Sequence, residues 1–385
     1  MTTRRPALAL LALALLPGLA ACGSSSDKDS SSGAAASKAS VTITAAKGCS
    51  IDHSTLAAGG IDFTVKNVDA TAVSEVEVLS GDRIVGEKEN LPPGFSGTFS
   101  ITATAGDYTL YCPGAATEKS ALKVTGKSAA VDTSAAALAK QASKGYANYV
   151  TTQVGYLLAE AKNLNKALQG NDLTAAQAAY AKARPFYEKI EPVAESFPGL
   201  DAAIDARADG ISPTKLTGFH RIEYGLFQVK SLNGLAKYGA GLIKDVTNLQ
   251  TKTKQLAAKN MPYQLTELAN GAQGLLDEVA SSKITGEEER YSHIDMLDFA
   301  NNDEGAEQAF AQLVPILKTS DPALVKQIQQ RFNALNTLVD QYRDTSEPSG
   351  YKLYTALTKA DKRKLAAAVK AVQEPLSKVA SKVAG

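Results

Sequence analysis

The residues of this chain that are best suited to metal chemistry lie between Thr217 and Phe227. This segment contains His220, one of only three histidines in the chain, and Glu223 follows three positions later. Residues three apart share one face of an α-helix, so an imidazole and a carboxylate at this spacing can bind the same divalent cation. The same spacing also allows a simple contact on a helix surface. Both interpretations stay open on this motif alone.

A second polar cluster surrounds residue 295. His293, Asp295 and Asp298 are interspersed with apolar residues, and the two aspartates share a helix face. Acids gathered beside an apolar core repel one another unless a cation or protons intervene. An acidic run at 287–289 precedes this cluster. We interpret that run as an exposed helix start, where acidic residues favour the positive end of the helix dipole.

Two patterns of hydrophobicity divide the chain and position these residues. Residues 41–126 alternate apolar and polar positions between Gly, Pro and Asp turns, which predicts about six or seven short strands in a β-sandwich. Residues 127–138 form a Ser/Ala linker. From 139 to 385 the apolar residues recur at helical spacing, which predicts about eight helices in a bundle. The expected fold is a β-sandwich followed by a large all-α domain that carries both clusters.

Residues 1–22 predict export from the cytoplasm. Arg4 and Arg5 precede an apolar stretch that is too short to span a bilayer, as in a signal peptide. The stretch ends in Leu-Ala-Ala-Cys, which resembles a bacterial lipobox and makes Cys22 the lipidated first residue of the mature protein. The Ser-rich residues 23–40 would tether the protein to the outer face of the cytoplasmic membrane. An ordinary cleaved signal remains the alternative.

The charge balance argues against nucleic acid as a partner. Lys and Arg number 41 against 40 Asp and Glu, so the chain has no excess of basic residues for phosphate groups. The motif H-E-x-x-H of zinc peptidases is also absent from the sequence.

Three separated motifs resemble the EfeO family of bacterial ferrous-iron uptake proteins. They are Gly-Phe-His220-Arg-Ile-Glu223-Tyr-Gly, Leu-Leu-Asp277-Glu-Val-Ala-Ser-Ser-Lys-Ile-Thr-Gly and Tyr-Ser-His293-Ile-Asp295-Met-Leu-Asp298. The order of the two domains agrees with that family, in which a cupredoxin-like β-domain precedes an imelysin-like helical domain. The resemblance covers residues 41–385.

This resemblance implies a protein that captures iron, as Fe²⁺ or Fe³⁺, outside the cytoplasm and passes it to an iron permease in the membrane. It also implies a haem-peroxidase-like partner from the same uptake system. By motif match, the metal ligands would be His220, Glu223 and Asp277. Three further residues would lie close by, namely His293, Asp295 and Asp298. A histidine with carboxylates suits Fe²⁺, Mn²⁺ or Zn²⁺, so Zn²⁺ should also bind in vitro.

The β-domain departs from a blue-copper site, which uses two histidines, a cysteine and usually a methionine. His53 is its only histidine, and no methionine follows Cys112 in the domain. The family's alternative metal set corresponds here to Cys49, Cys112, Glu75 and Glu77, and it would hold copper or a second iron. Two cysteines in an exported β-domain also commonly form a disulfide. Both interpretations of the cysteines stay open.

Two other functions compete with iron carriage. The imelysin group is peptidase-like, so a metallopeptidase is the alternative, with Glu223 as either a ligand or a general base. A third hypothesis is an adhesion or signalling lipoprotein whose motifs hold no metal. Metal analysis of the purified protein, followed by a peptidase assay with added metal, separates the three.

Overall fold

The computed structural model describes residues 38–73, 75–81, 83–88, 91–127, 133–194, 196–208 and 210–384. The predicted signal peptide, Cys22 and most of the predicted tether lie outside these ranges. A β-sheet region at 38–125 precedes a large helical region, so the predicted fold class is confirmed.

The β-region contains nine described strands in two sheets that share one apolar core. The first sheet consists, in spatial order, of β2 (Gly48–Ile51), β1 (Lys38–Thr44), β4 (Gly59–Asn67) and β7 (Ser96–Ala103). The second consists of β3 (Thr55–Ala57), β9 (Lys119–Thr125), β8 (Gly106–Tyr111), β5 (Val76–Ser80) and β6 (Arg83–Lys88).

Strand pairing and burial follow the alternation in the sequence. β1 pairs in parallel with β4, whereas β4 and β7 are antiparallel, as are β5 with both β6 and β8. Along β1 and β4 the side chains alternate between buried and more exposed positions, as expected of strands with one face on a core. The sequence predicted fewer strands, because β2 and β3 are too short for a period of two to appear.

A disulfide joins the two sheets. Cys49 in β2 and Cys112, directly after β8, are both buried and are bonded through their sulfur atoms. Of the two alternatives for these cysteines, the structure shows the disulfide. Because a metal ligand must be a thiolate, neither cysteine can bind copper or iron in this state.

The helical region begins at Thr133, inside the predicted linker, and its described part contains twelve α-helices. They are α1 (Thr133–Leu168), α2 (Leu173–Ala183), α3 (Pro185–Glu188), α4 (Glu191–Ala194), α5 (Pro198–Asp205), α6 (Gly218–Glu223), α7 (Ala236–Ala258), α8 (Leu265–Ser281), α9 (Asp295–Ser320), α10 (Pro322–Val339), α11 (Lys359–Leu376) and α12 (Val379–Val383). The sequence predicted fewer, because one-turn helices such as α3 and α4 are too short to show a helical period. Among the residues described, no helix is both long and apolar enough to cross a bilayer.

Helix α8 lies between the β-region and the interior of the helical region. It packs against α9 on one side and against β6 and β7 on the other. The backbone N–H of Thr102 in β7 donates to the hydroxyl of Thr266 at 2.9 Å. Lys88 in β6 forms an ion pair of 3.1 Å with Asp277. α8 can therefore present polar residues to two separate environments.

Candidate metal centre

The position of α6, which carries His220, depends on a glycine. Gly218 begins the helix with a φ of +60°, and a Cβ at this residue would lie 2.0 Å from the backbone oxygen of Ile204. Glycine accepts both the positive φ and the close approach, whereas other residues would be strained. α6 therefore starts directly against the end of α5, and His220 lies beside Asp205.

Both ring nitrogens of His220 face carboxylates, and the side chain is almost completely buried. Nδ1 lies 3.0 Å from Oε2 of Glu223. Nε2 lies 3.5 Å from Oδ1 of Asp205 and 3.7 Å from Oε1 of Glu288. These two distances exceed those of ordinary hydrogen bonds, and Nε2 has no hydrogen-bond partner in the part of the chain that the structure describes. A buried ring nitrogen therefore points between two carboxylates.

Glu223 orients the imidazole from the opposite side. Its Oε2 contacts Nδ1 of His220, and its Oε1 accepts the backbone N–H groups of Tyr291 at 2.7 Å and Ser292 at 2.9 Å. A carboxylate bound to the far nitrogen of a metal-binding histidine fixes the ring and raises its basicity. This differs from the sequence-based prediction, in which both side chains ligate the same ion.

The geometry around Nε2 fits a small divalent cation. Asp205, His220 and Glu288 each offer one ligand atom, and these atoms lie within 4.8 Å of one another. Two ligands at about 2.1 Å from one ion are separated by about 3.0–3.6 Å at bond angles of about 90–120°. The observed separations of 3.5 and 3.7 Å are close to that range. One nitrogen with carboxylate oxygens suits Fe²⁺, Mn²⁺ or Zn²⁺ better than Mg²⁺ or Ca²⁺.

Two buried cations lie in the same cluster. The guanidinium of Arg184 forms ion pairs with Glu188, Asp205, Glu289 and Asp298. The ammonium of Lys283 lies 2.7 Å from Oε2 of Glu191 and 3.5 Å from Oε2 of Glu188. The other carboxylates of the cluster are Asp201, Glu223, Glu278, Glu288 and Asp295. The carboxylates outnumber the cations, so a further cation would relieve their repulsion.

Burial and neighbouring charges shift the pKa values of the three candidate ligands. Burial raises the pKa of Asp205 to about 6, although Arg184 opposes the shift. Burial lowers the pKa of His220, but the surrounding carboxylates outweigh it and hold the pKa well above 6.5. Burial also acts to raise the pKa of Glu288, yet Lys283 and the other cations hold it well below 4.5. A metal ion must therefore displace the imidazole proton at neutral pH.

A cavity of about 230 Å³ borders the candidate ligands Asp205 and Glu288. Its other lining residues are Glu191, Asp201, Ala206, Arg207 and Glu278. The guanidinium of Arg207 lies across it, 3.0 Å from Oε1 of Glu278 and 2.7 Å from Oε2 of Glu288. The cavity can hold an ion with several waters, but it is smaller than the 300 Å³ or more that is typical of sites for drug-sized ligands.

Asp277 does not join this cluster. Its Oδ2 pairs with Lys88, and its Oδ1 accepts hydrogen bonds of 2.7 Å from both Gln273 and Gln373. In the described part of the chain, Asp277 is therefore not among the metal-binding side chains that converge with His220. Its neighbour Glu278 lines the cavity instead, because successive residues of an α-helix point about 100° apart.

The three residues predicted to lie near the metal, Asp295, Asp298 and His293, differ in how they relate to the cluster. Asp295 and Asp298 belong to the cluster, but Asp295 accepts the backbone N–H of Glu289 at 3.1 Å and Asp298 pairs with Arg184 at 3.1 Å. His293 contributes its backbone N–H, which donates to the backbone oxygen of Glu289 at 2.8 Å. Within the described ranges, none of these three side chains belongs to a group of converging metal ligands.

The acidic run at 287–289 is not the exposed helix start that the sequence predicted. Glu288 is 3% exposed and Glu289 is fully buried, and both face Arg184. α9 begins only at Asp295. Sequence reasoning missed Glu288 and Asp205 as candidate ligands, because the burial of acids depends on cations from distant segments. The acidic run at 287–289 was the feature of the sequence that could have indicated Glu288, because it lies close to the motif that contains His293.

The acids of the β-region are arranged differently. Glu77 in β5 lies opposite Glu87 in β6 and opposite Tyr111 in β8. Burial and the charges of Glu75 and Glu87 raise the pKa of Glu77 to about 8, and burial also raises the pKa of Glu75. At neutral pH a proton therefore neutralises Glu77. Among the described residues of this region, no three metal-binding side chains converge.

Comparison with known proteins agrees with the fold. Residues 142–379 match the imelysin family, peptidase M75. Relatives named iron uptake system component EfeO, from Escherichia coli K12 and Shigella flexneri, are 35% identical over 345 residues, which cover 88% of this chain and 89% of theirs. The chain belongs to the imelysin family. Its β-region followed by the imelysin domain, together with this nearly full-length identity, makes it an EfeO-type member.

A crystal structure of a related fold covers the chain in part. It is described as an iron-regulated protein A precursor from Parabacteroides distasonis, with 17% identity and a TM-score of 0.51. The match covers 64% of this chain and 95% of that protein. At this level of identity the similarity concerns the fold alone.

Proposed function

We propose that the helical region captures one iron ion, as Fe²⁺, between Asp205, His220 and Glu288, and that the protein passes it to a membrane permease. The observation that carries this proposal is the buried Nε2 of His220, which faces two carboxylates without a hydrogen-bond partner in the described part of the chain. The donor set suits several divalent metals, and the relatives' name, iron uptake system component, favours iron among them.

A carrier must release its ion as well as bind it. Three protein ligands leave coordination positions for water or for an incoming ligand from the receiving protein. Asp205, with a pKa of about 6, and His220, with a pKa well above 6.5, both bind protons in competition with the metal. The site therefore supports reversible binding.

The proposed cellular location and partners follow from the same role in iron uptake. The protein would act on the outer face of the cytoplasmic membrane, attached through a lipid on Cys22. A permease in that membrane would receive the iron, and a haem-peroxidase-like protein would complete the system. Iron is here the cargo, so the chain needs no catalytic step of its own.

Anaerobic titration of the mature protein with Fe²⁺ tests this function. His220→Ala should weaken binding at least about 100-fold, because even the loss of groups that only orient a ligand costs about 10- to 100-fold. The matched control is His53→Ala, which removes the exposed histidine of the β-region and should leave the affinity unchanged. Equal Fe²⁺ binding by the wild type and the His220→Ala protein would contradict the proposal.

Peptide hydrolysis by an imelysin-type metallopeptidase is the alternative function. The candidate ligands are almost completely buried, and the cavity beside them measures about 230 Å³. An extended peptide needs an open groove, so this geometry favours an ion over a peptide. Peptidase assays of the wild type and the His220→Ala protein, with added Fe²⁺ or Zn²⁺, separate iron carriage from peptide hydrolysis. Metal-dependent hydrolysis that disappears in His220→Ala would support catalysis in place of carriage.

A further inference from the structure

A second set of converging carboxylates adjoins the proposed iron position. Glu188, Glu191 and Asp205 each offer an oxygen atom, and these atoms lie within 4.8 Å of one another. Asp205 therefore belongs both to this set and to the set that contains His220. Adjacent ligand sets of this kind are the arrangement in which proteins hold two ions about 3.5–4 Å apart.

The second set already contains a positive charge. The ammonium of Lys283 lies 2.8 Å from Oε1 and 2.7 Å from Oε2 of Glu191, and 3.5 Å from Oε2 of Glu188. It also lies 3.8 Å from Oε1 of Glu288, a ligand of the first set. Lys283 is 3% exposed, so water does not screen its charge. The ammonium therefore pairs with two of the three carboxylates of the second set, Glu188 and Glu191, while Arg184 pairs with Glu188 and Asp205.

The position of Lys283 along the chain explains how it enters the cluster. It begins a 3₁₀ turn at Lys283–Thr285, directly after α8. The turn ends at Gly286, which has a φ of +85° and whose Cβ would lie 2.4 Å from the ring of Tyr354. Only glycine accepts that conformation without strain, so the backbone after Lys283 is held in place.

We propose that Lys283 is a built-in cation that occupies the second position and restricts the centre to one iron ion. This inference rests on the proposed function, because it concerns the number of ions at the same site. Lys283 would repel a second divalent ion, and it already uses both carboxylate oxygens of Glu191. A single ion with open coordination positions can be passed on, whereas a pair bridged by Asp205 would be held by more ligands.

The variant Lys283→Met tests the proposal, because it removes the charge and keeps most of the side-chain volume. Mn²⁺ serves as the probe, since two Mn²⁺ ions that share a carboxylate give a spin-coupled signal in electron paramagnetic resonance. We expect one uncoupled Mn²⁺ at the centre of the wild type and two coupled ions in Lys283→Met. Lys283→Arg, which keeps the positive charge, is the matched control and should retain one. A single ion in Lys283→Met would overturn the proposal.

A second variant tests the proposal if Lys283→Met fails to fold. It retains Lys283 and therefore the positive charge in the cluster. In Glu191→Gln, one carboxylate of the second set becomes an amide that binds metal poorly. If the lysine occupies this set, the wild type and Glu191→Gln both bind one Mn²⁺ at the centre. If the set binds metal, the wild type binds two coupled ions and the variant one, which would contradict the proposal. A wild type that binds no Mn²⁺ or Fe²⁺ at all would instead contradict the proposed function.

Discussion

The β-region and the helical region each bury carboxylates, and the two groups are neutralised in different ways. In the β-region, Glu77 lies opposite Glu87, and burial with these like charges raises the pKa of Glu77 to about 8. In the helical region, Arg184 and Lys283 contribute permanent positive charges to a larger group of acids. A proton thus neutralises the first group, whereas the second combines fixed cations with acids such as Glu289 and Asp298, whose pKa values burial raises well above the usual range.

This difference explains why only the helical group is proposed as a metal centre. A protonated carboxyl leaves no position that demands a cation. In the helical region, Arg184 and Lys283 take fixed places, and Asp205 and Glu288, which also contact these cations, converge on Nε2 of His220. Cations that hold these carboxylates in place preorganise them around the imidazole. The four predictions that follow test this contrast, from the largest expected effect to the smallest.

The largest effect should come from the disulfide of the β-region. Its cysteines are 63 residues apart, and the chain-entropy estimate for a loop of this size is about 4 kcal/mol of stability. Urea unfolding of Cys49→Ala, Cys112→Ala should show a loss of this order in the β-region, while the helical region still binds one Fe²⁺. Loss of that Fe²⁺ in the folded variant would show that the two regions form one metal centre, against the contrast drawn above.

The pH dependence of Fe²⁺ binding should come second, because a change of about tenfold per pH unit accumulates over several units. His220 must lose a proton to bind the metal, and its pKa lies well above 6.5, so affinity should rise with pH throughout the range from 6 to 7. The rise should be about tenfold per pH unit, because one proton is displaced. Below about pH 6 Asp205 is protonated as well, so the slope should steepen. Anaerobic Fe²⁺ titrations at several pH values measure this dependence. An affinity that does not change with pH would contradict the assignment of His220 as a ligand.

Replacement of Glu223 should weaken binding without removing a ligand. Glu223→Gln should cost about 10- to 100-fold in Fe²⁺ affinity, because the amide orients the imidazole less firmly and lowers its basicity. The matched variant in the β-region is Glu77→Gln, which replaces a proton-neutralised acid and should leave the affinity unchanged. If Glu77→Gln instead removed a binding event, the β-region would hold a metal of its own.

The smallest effect should come from Asp277. Its ion pair with Lys88 lies at a partly exposed contact between the two regions, where such pairs contribute up to about 1 kcal/mol. Asp277→Asn should therefore change Fe²⁺ affinity less than about threefold and destabilise the fold by no more than about that energy. A tenfold loss of affinity would restore Asp277 to the centre, and calorimetry on the two proteins decides between these outcomes.

Local patterns explain which predictions were confirmed. The alternation in β1 and the helical spacing around His220 both arise within a few residues, and the structure contains a strand and a helix at these places. The disposition of a helix relative to its neighbours has no such local signature. Asp277 and Glu278 are adjacent in one acidic pair, and the sequence does not tell which of them faces the cluster.

The sequence by itself determined the two-part architecture and indicated His220 as a candidate ligand, because hydrophobic period and residue type are local properties. Only the tertiary structure decided which acids face that histidine. Asp205 ends one helix, Glu288 lies in a turn far along the chain, and both are buried only because Arg184 and Lys283 are buried with them. A charge can leave water when its counter-ions accompany it. Those counter-ions come from segments that are distant in sequence and adjacent only in the folded protein.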